Sequence, residues 1–268
     1  MGKSKKQEEI ILNLIESNDF ESLSTYLIEN SNLPGRMVNL KLISNVANIF
    51  ESNEELSRSW YATLNTWFDT KVDGNSSETI LVLTALESFG GIYNNFPRKE
   101  QLLIEEKLRA SLNDERWRIR EIVTESYKRI GLISYQRLIN LFENILSTKP
   151  SPLEIRGILA TVAHPDLLIS EEQLVFSQKI LEISFNYYLN FDIEKFSKED
   201  KLIIKKGLSF APSVIVSKNP NAGFPYFKRL IEKGDKGINT IIKSNLKKKR
   251  LENIYPDKVE SLLADINN

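Results

Sequence analysis

This 268-residue sequence predicts an all-α protein, an α-solenoid in which pairs of helices stack on one another. Three observations carry that prediction. Apolar residues fall at helical spacing along almost the whole chain, strand and hairpin signals are nearly missing, and one apolar spacing returns at several places a few tens of residues apart.

The elements follow in order. Ile10, Ile11, Leu14 and Ile15 form a first apolar stripe and Phe20, Leu23, Tyr26 and Leu27 a second, with turn and cap chemistry between them in Ser17-Asn18-Asp19. Helices are then predicted over about 35–50, 54–71, 77–94, 98–112, 115–131, 134–147, 152–164 and 170–190. Four more follow over about 198–211, 221–233, 236–249 and 256–266. Short runs such as Leu81-Val82-Leu83 sit inside longer helical patterns, and Asp73-Gly74 leads into Ser76-Ser77, a helix start rather than a hairpin. Asn219-Pro220-Asn221-Ala222-Gly223-Phe224-Pro225 reads as a loop by composition and lacks the lysine of a phosphate loop.

The recurrence is specific. Ile119, Ile122, Val123 and Tyr127 are spaced 0, +3, +4, +8, and Ile238, Ile241, Ile242 and Leu246 repeat that spacing. Ile155, Ile158, Leu159 and Ala163 form a weaker copy; others are Val82, Ala85, Leu86 with Gly90, and Ile204, Gly207, Leu208 with Pro212. Small residues at such places let neighbouring helices approach closely. Each copy follows another amphipathic helix after a short turn, which is the pattern of units that bury their apolar faces against the next. A generic helical bundle is the alternative source of the spacing. The expected organisation is one repeat domain over 1–268, with a last repeat at about 221–251 and a terminal helix at about 256–266.

Composition narrows the function classes. An apolar fraction of 41% with 27% charged residues is that of a globular chain. Lysine plus arginine equals aspartate plus glutamate, whereas dedicated nucleic-acid binders usually carry a basic excess. With no cysteine, thiolate metal sites, disulfides and cysteine nucleophiles are excluded, and the single histidine, His164, cannot build a multi-histidine cage. The start, Met1-Gly2-Lys3-Ser4-Lys5-Lys6, has no apolar signal region and places Lys6 where a myristoylation pattern needs Ser or Thr. No apolar run approaches the length of a membrane span, and a cytoplasmic location is expected.

Leu112-Asn113-Asp114-Glu115-Arg116-Trp117-Arg118-Ile119-Arg120-Glu121-Ile122-Val123, ending in Arg129-Ile130-Gly131, resembles the second helix of a HEAT repeat. Leu230 through Asp235, then Ile238, Ile241 and Asn245 to Leu251, are similar to the terminal segment of HEAT-like proteins related to DNA alkylation-repair glycosylases. The resemblance covers about a fifth of the chain closely. It implies a right-handed superhelix and, more distantly, a DNA-directed activity. In those glycosylases tryptophans and an aspartate on adjacent repeats line a basic concave groove. Their Trp-Trp-Asp run has no counterpart here: Trp60 is followed by Tyr61, and Trp67 by Phe68-Asp69.

Candidate binding residues fall in two groups. Arg116, Arg118 and Arg120 either cap helices and tie repeats together or form a recognition surface, since arginine forks bind carboxylates and phosphates in fixed geometry. Asp114 is expected to cap the following helix, and Glu125 to pair with Arg129 one turn on. Trp117, opposite the apolar arc, packs under the preceding turn in one reading and is an exposed hot spot in the other. Lys243, Lys247, Lys248, Lys249 and Arg250 either complement the end of a helix dipole or form a patch for an acidic protein, RNA or DNA. His164-Pro165 marks a helix end. Phe185, Tyr187, Tyr188 and Phe191 read as core with outward hydroxyls, and Glu105-Glu106 and Glu171-Glu172 as solvated faces. No spacing identifies a catalytic residue, metal or cofactor. The expected function is a non-enzymatic scaffold that binds a protein partner through a concave helical surface, with nucleic-acid binding or glycosylase-like activity as the alternative.

Overall fold

The computed structural model describes residues 3–267. Among them every regular element is a helix, as the apolar spacing predicts. The chain divides between Leu138 and Ile139 into two compact units.

The first unit holds α1 (Lys3–Glu16), α2 (Phe20–Glu29), α3 (Leu40–Ser52), α4 (Glu54–Phe68), α5 (Thr79–Ile92), α6 (Arg98–Leu112) and α7 (Trp117–Ile133). In this unit α1 packs on α3, α3 on α5 and α5 on α7, while α2 and α4 lie against α5, and α6 lies against α7. Starts are set by side-chain caps: Asp19 accepts from Ser22 N–H at 3.0 Å, Asn39 from Leu42 N–H at 3.2 Å and Asn53 from Leu56 N–H at 3.1 Å.

Every residue of α5 is buried, the polar Thr79, Thr84, Glu87 and Ser88 included. Gly90 is where α5 meets α7 most closely. A methyl group there would stand 2.3 Å from the carbonyl oxygen of Ser126, and Ser126 Oγ donates to Leu86 O at 2.8 Å across the same contact.

α8 (Tyr135–Ser147) leads to the second unit's α9 (Pro152–Val162), α10 (Glu171–Leu189), α11 (Lys198–Leu208), α12 (Ala211–Lys218), α13 (Pro220–Ile231), α14 (Lys236–Leu246), a single turn α15 (Lys249–Glu252) and α16 (Pro256–Asn267). Here α9 packs on α10 and α11, α12 contacts α13, α14 and α15, and α16 closes on α13 and α14. Capping boxes at Ser151, Ser170 and Ser197 start α9, α10 and α11. Phe185, Tyr188 and Phe191 are core as expected, and Tyr187 Oη donates to Pro150 O at 3.1 Å. Burial pushes the Tyr187 phenol up to about 12, with Glu154, Asp200 and Asp192 adding to the shift.

Three expectations about local structure need correction. The segment around 219–225 is not a loop, because α13 starts at Pro220. A proline at the first helical position gives up no hydrogen bond, and Gly223 allows contact with Val216, whose Cγ2 lies 2.6 Å from where a Cβ would be. The helix expected over 198–211 ends at Leu208, and a further helix, α12, occupies the stretch that no expected helix covers. Pro212 sits in the first turn of α12, and its β-branched run Val214-Ile215-Val216 is buried. The helix expected over 236–249 stops at Leu246, which changes the setting of the basic run that follows.

Candidate functional site

The first candidate group lies at the start of α7. Asp114 does not cap that helix; Arg116 occupies the N-cap position with no side-chain cap bond. Asp114 instead accepts from Arg116 N–H at 2.8 Å and from Arg116 Nε and Nη2 at 2.9 and 2.8 Å. Burial alone would raise the Asp114 pKa, but the hydrogen bonds and charge of Arg116 outweigh it and hold the carboxyl below its ordinary value. Arg116 also donates to Val72 O at 3.1 Å, and Arg120 donates to Glu115 O at 2.8 Å and to Asp114 O.

Arg118 is 5% exposed and donates to Gly74 O, Asn75 Oδ1 and Gly35 O, which ties α7 to two loops. Its Nε is buried without a hydrogen-bond partner. The three arginines therefore serve loop carbonyls and the α6–α7 connection in the manner of caps and ladders.

Arg129 also departs from expectation. It pairs with Glu87 (2.6 Å) on α5 and Glu51 (2.6 Å) on α3, while Glu125 pairs with Lys128 at 3.5 Å. Glu87 is buried and takes a further bond from Ser44 Oγ at 2.8 Å. Burial works against the Arg129 charge, but the two carboxylates raise its pKa above the ordinary value. This cluster joins three helices that are far apart in sequence. Glu105, expected on a solvated face, is engaged by Tyr93 Oη at 2.6 Å and by Arg98.

Trp117 resolves to the exposed alternative. It is 51% exposed, and its ring stacks with the Arg118 guanidinium at 4.5 Å. It borders a cleft of about 260 Å³ between the loop before α3 and the face of α7. Met37, Leu40, Leu83 and Ile122 make the apolar part, with Glu121 and Glu125 among the other lining residues. Met37 and Leu40 are exposed as well, so three large apolar side chains stand together at one opening.

The second group lies where α11, α12, α14 and α15 meet. Asn245 is fully buried, donating to Leu208 O at 2.7 Å and accepting from Ser213 N–H at 2.8 Å. Ser244 Oγ donates to Ser209 O at 3.2 Å, so the ends of α11 and α14 are held side by side. Lys243 is in the last turn of α14 and donates to Asn267 Oδ1 at 3.2 Å; Lys247 is the C-cap. Lys248 is extended, and Lys249 and Arg250 begin α15. The dipole of α14 therefore accounts for Lys243 and Lys247 but not for Lys248, Lys249 and Arg250, which lie beyond its end in an extended residue and a single turn too short to have distinct ends.

Sequence reasoning missed Phe210, Lys205 and Lys206. Phe210, in the link between α11 and α12, is 52% exposed, with Lys248 Nζ 5.4 Å and Arg250 Cζ 4.9 Å from its ring centroid. Lys205 and Lys206 are in the last turn of α11. The signal that could have found them is local charge: residues 201–250 carry thirteen lysines and arginines against two acids, Glu232 and Asp235, which the zero net charge of the whole chain conceals.

Trp60 and Trp67 are core residues. Trp60 is fully buried and donates to Ile15 O at 3.0 Å, and Trp67 donates to Ser24 Oγ at 3.1 Å. His164 begins a short 3-10 turn over Pro165–Leu167 and accepts from Asp166 N–H at 3.3 Å. Among the described residues no helix is long and apolar enough to cross a membrane, and no three His, Asp or Glu side chains gather as a metal site requires. The chain matches none of the known protein-family profiles and none of the curated proteins with which it was compared.

Proposed function

We propose that this chain is a HEAT-like α-solenoid that acts as a non-enzymatic scaffold, holding a protein partner on its helical surface at the Trp117 cleft. The observation that carries the reading is the exposed trio of Trp117, Met37 and Leu40 around a preformed cleft. Large apolar side chains gathered at one opening are the composition of an interface hot spot. Support for the repeat architecture comes from the succession α1–α3–α5–α7 and from burial of the residues at the recurring apolar spacing in α5, α7, α9 and α14. The glycosylase alternative gains nothing from Trp60 and Trp67, whose indoles are taken up by the core.

Covering the exposed half of Trp117 removes on the order of 100 Å² of apolar surface from water, worth about 2–3 kcal/mol or roughly a hundredfold in Kd. The test is affinity purification from the native host with wild-type protein and Trp117→Ala, each with and without nuclease. A specific protein retained by the wild type after nuclease treatment, and lost by the variant at unchanged thermal stability, is the expected result. Retention of no specific partner, or turnover of a substrate by the pure protein, overturns the proposal.

A further inference from the structure

The Phe210 cluster differs from the Trp117 cleft in chemistry. Phe210 is an exposed aromatic ring at a junction of helix ends, with Lys248 and Arg250 against it; Lys247 and Lys249 adjoin those two in the chain, and Lys205 and Lys206 close the helix just before the ring. Among the described residues, none of these six cations forms an ion pair with a carboxylate. Two of them lie against the ring rather than against the helix carbonyls that would otherwise account for them. The bonds of Asn245 and Ser244 to Leu208 and Ser209 fix this junction, so the charges stand on a rigid base.

Like charges close in the chain repel one another, and among the described residues no ion pair to a carboxylate offsets that repulsion. Its natural complement is an external polyanion. The ring selects among polyanions. A strand with unpaired bases brings both a phosphate chain for the lysines and flat faces that stack on phenylalanine and on a guanidinium plane. A carboxylate-rich peptide offers the charge but nothing that needs the ring.

We propose that this junction binds single-stranded nucleic acid without sequence selectivity, its phosphates on the lysines and a base on the Phe210–Arg250 pair. The site is independent of the Trp117 cleft: it lies in the other unit and takes a ligand of another class.

The test uses fluorescence anisotropy of the full-length protein with labelled fifteen-nucleotide oligo-dT and oligo-U probes. Polyglutamate of equal length and a duplex serve as competitors. If about five phosphates are neutralised, the logarithm of affinity falls with the logarithm of salt at a slope near −3.5, a loss of roughly a hundredfold between 50 and 200 mM salt. Lys247→Glu with Lys249→Glu, both exposed positions, abolishes binding, and Phe210→Ala weakens it by about tenfold. The same charge change at exposed Lys6 and Lys99 leaves binding intact, which separates a local site from a net-charge effect. Circular dichroism confirms that every variant is folded. Absence of binding at 50 mM salt, equal losses from the two charge-reversal pairs, or displacement of the oligonucleotide by polyglutamate as readily as by unlabelled strand would each overturn the proposal.

Discussion

Substituting Gly90 by alanine tests the contact on which the stacking of α5 and α7 depends. In a helix interior this exchange on its own stabilises by up to about 1 kcal/mol, because glycine is the poorer helix former. The structure predicts the opposite sign. The added methyl would lie 2.3 Å from Ser126 O, 2.5 Å from its Cα and 2.7 Å from its C, all backbone atoms that no rotamer change can move. Restoring ordinary carbon contact at roughly 3.5 Å requires α7 to withdraw by about 1 Å. That withdrawal stretches the Ser126–Leu86 hydrogen bond and opens the packing of Ile122 and Val123. Overpacking of this kind destabilises by about 1–3 kcal/mol, and backbone against backbone belongs at the upper end; net of the propensity gain, a loss of about 2 kcal/mol is expected. Urea unfolding followed by tryptophan fluorescence measures it. All three tryptophans lie in the first unit, so the signal reports that unit alone. With a slope of 1–3 kcal/mol per molar, the midpoint falls by about 1 M. A midpoint that is unchanged or higher would refute the close approach.

Other perturbations give distinct readouts. Glu87→Gln keeps a hydrogen-bond acceptor for Arg129 but removes its buried counter-charge, and should lower stability by about 2–4 kcal/mol in the same fluorescence assay; a neutral effect would show that Glu51 alone suffices. Asn245→Ala strands the Ser213 N–H and the Leu208 carbonyl in a buried junction and should destabilise by about 2–3 kcal/mol, read by helix circular dichroism because the second unit has no tryptophan. Asp114→Asn tests the Arg116 clamp through pH. The folded carboxyl has a lowered pKa, so its contribution is present above the unfolded value near 4 and is lost as pH falls through the folded one. Thermal melts of wild type and variant should therefore differ most above about pH 5 and converge in acid, and parallel curves down to pH 2 would contradict the clamp.

Helix content was open to sequence reasoning because amphipathic spacing and caps are local. Asp19 caps α2 as the Ser17-Asn18-Asp19 segment suggests, and the 0, +3, +4 positions of α5, α7, α9 and α14 are buried. The clearest misreading was at α12, where a proline and a β-branched run mask a helix that its neighbours cover. Propensity is too weak to decide such a segment when burial opposes it.

The partners of charged groups were also out of reach, since an ion pair is decided in space. Arg129 has Glu125 within a helical turn, yet it binds Glu87 and Glu51 because α3 and α5 bring two carboxylates into a site more buried than the one beside Glu125. Trp117 could be placed opposite the apolar arc from its phase on the helix, but its exposure depends on how the loop at Met37 passes over α7. Likewise the run Lys247 to Arg250 is plain in one dimension, while the ring that Lys248 and Arg250 meet is contributed by a link some forty residues earlier. Backbone periodicity and capping act over a few residues and are written directly in the chain; which side chains are left to face a ligand depends on the packing of distant segments, and only the folded molecule determines that.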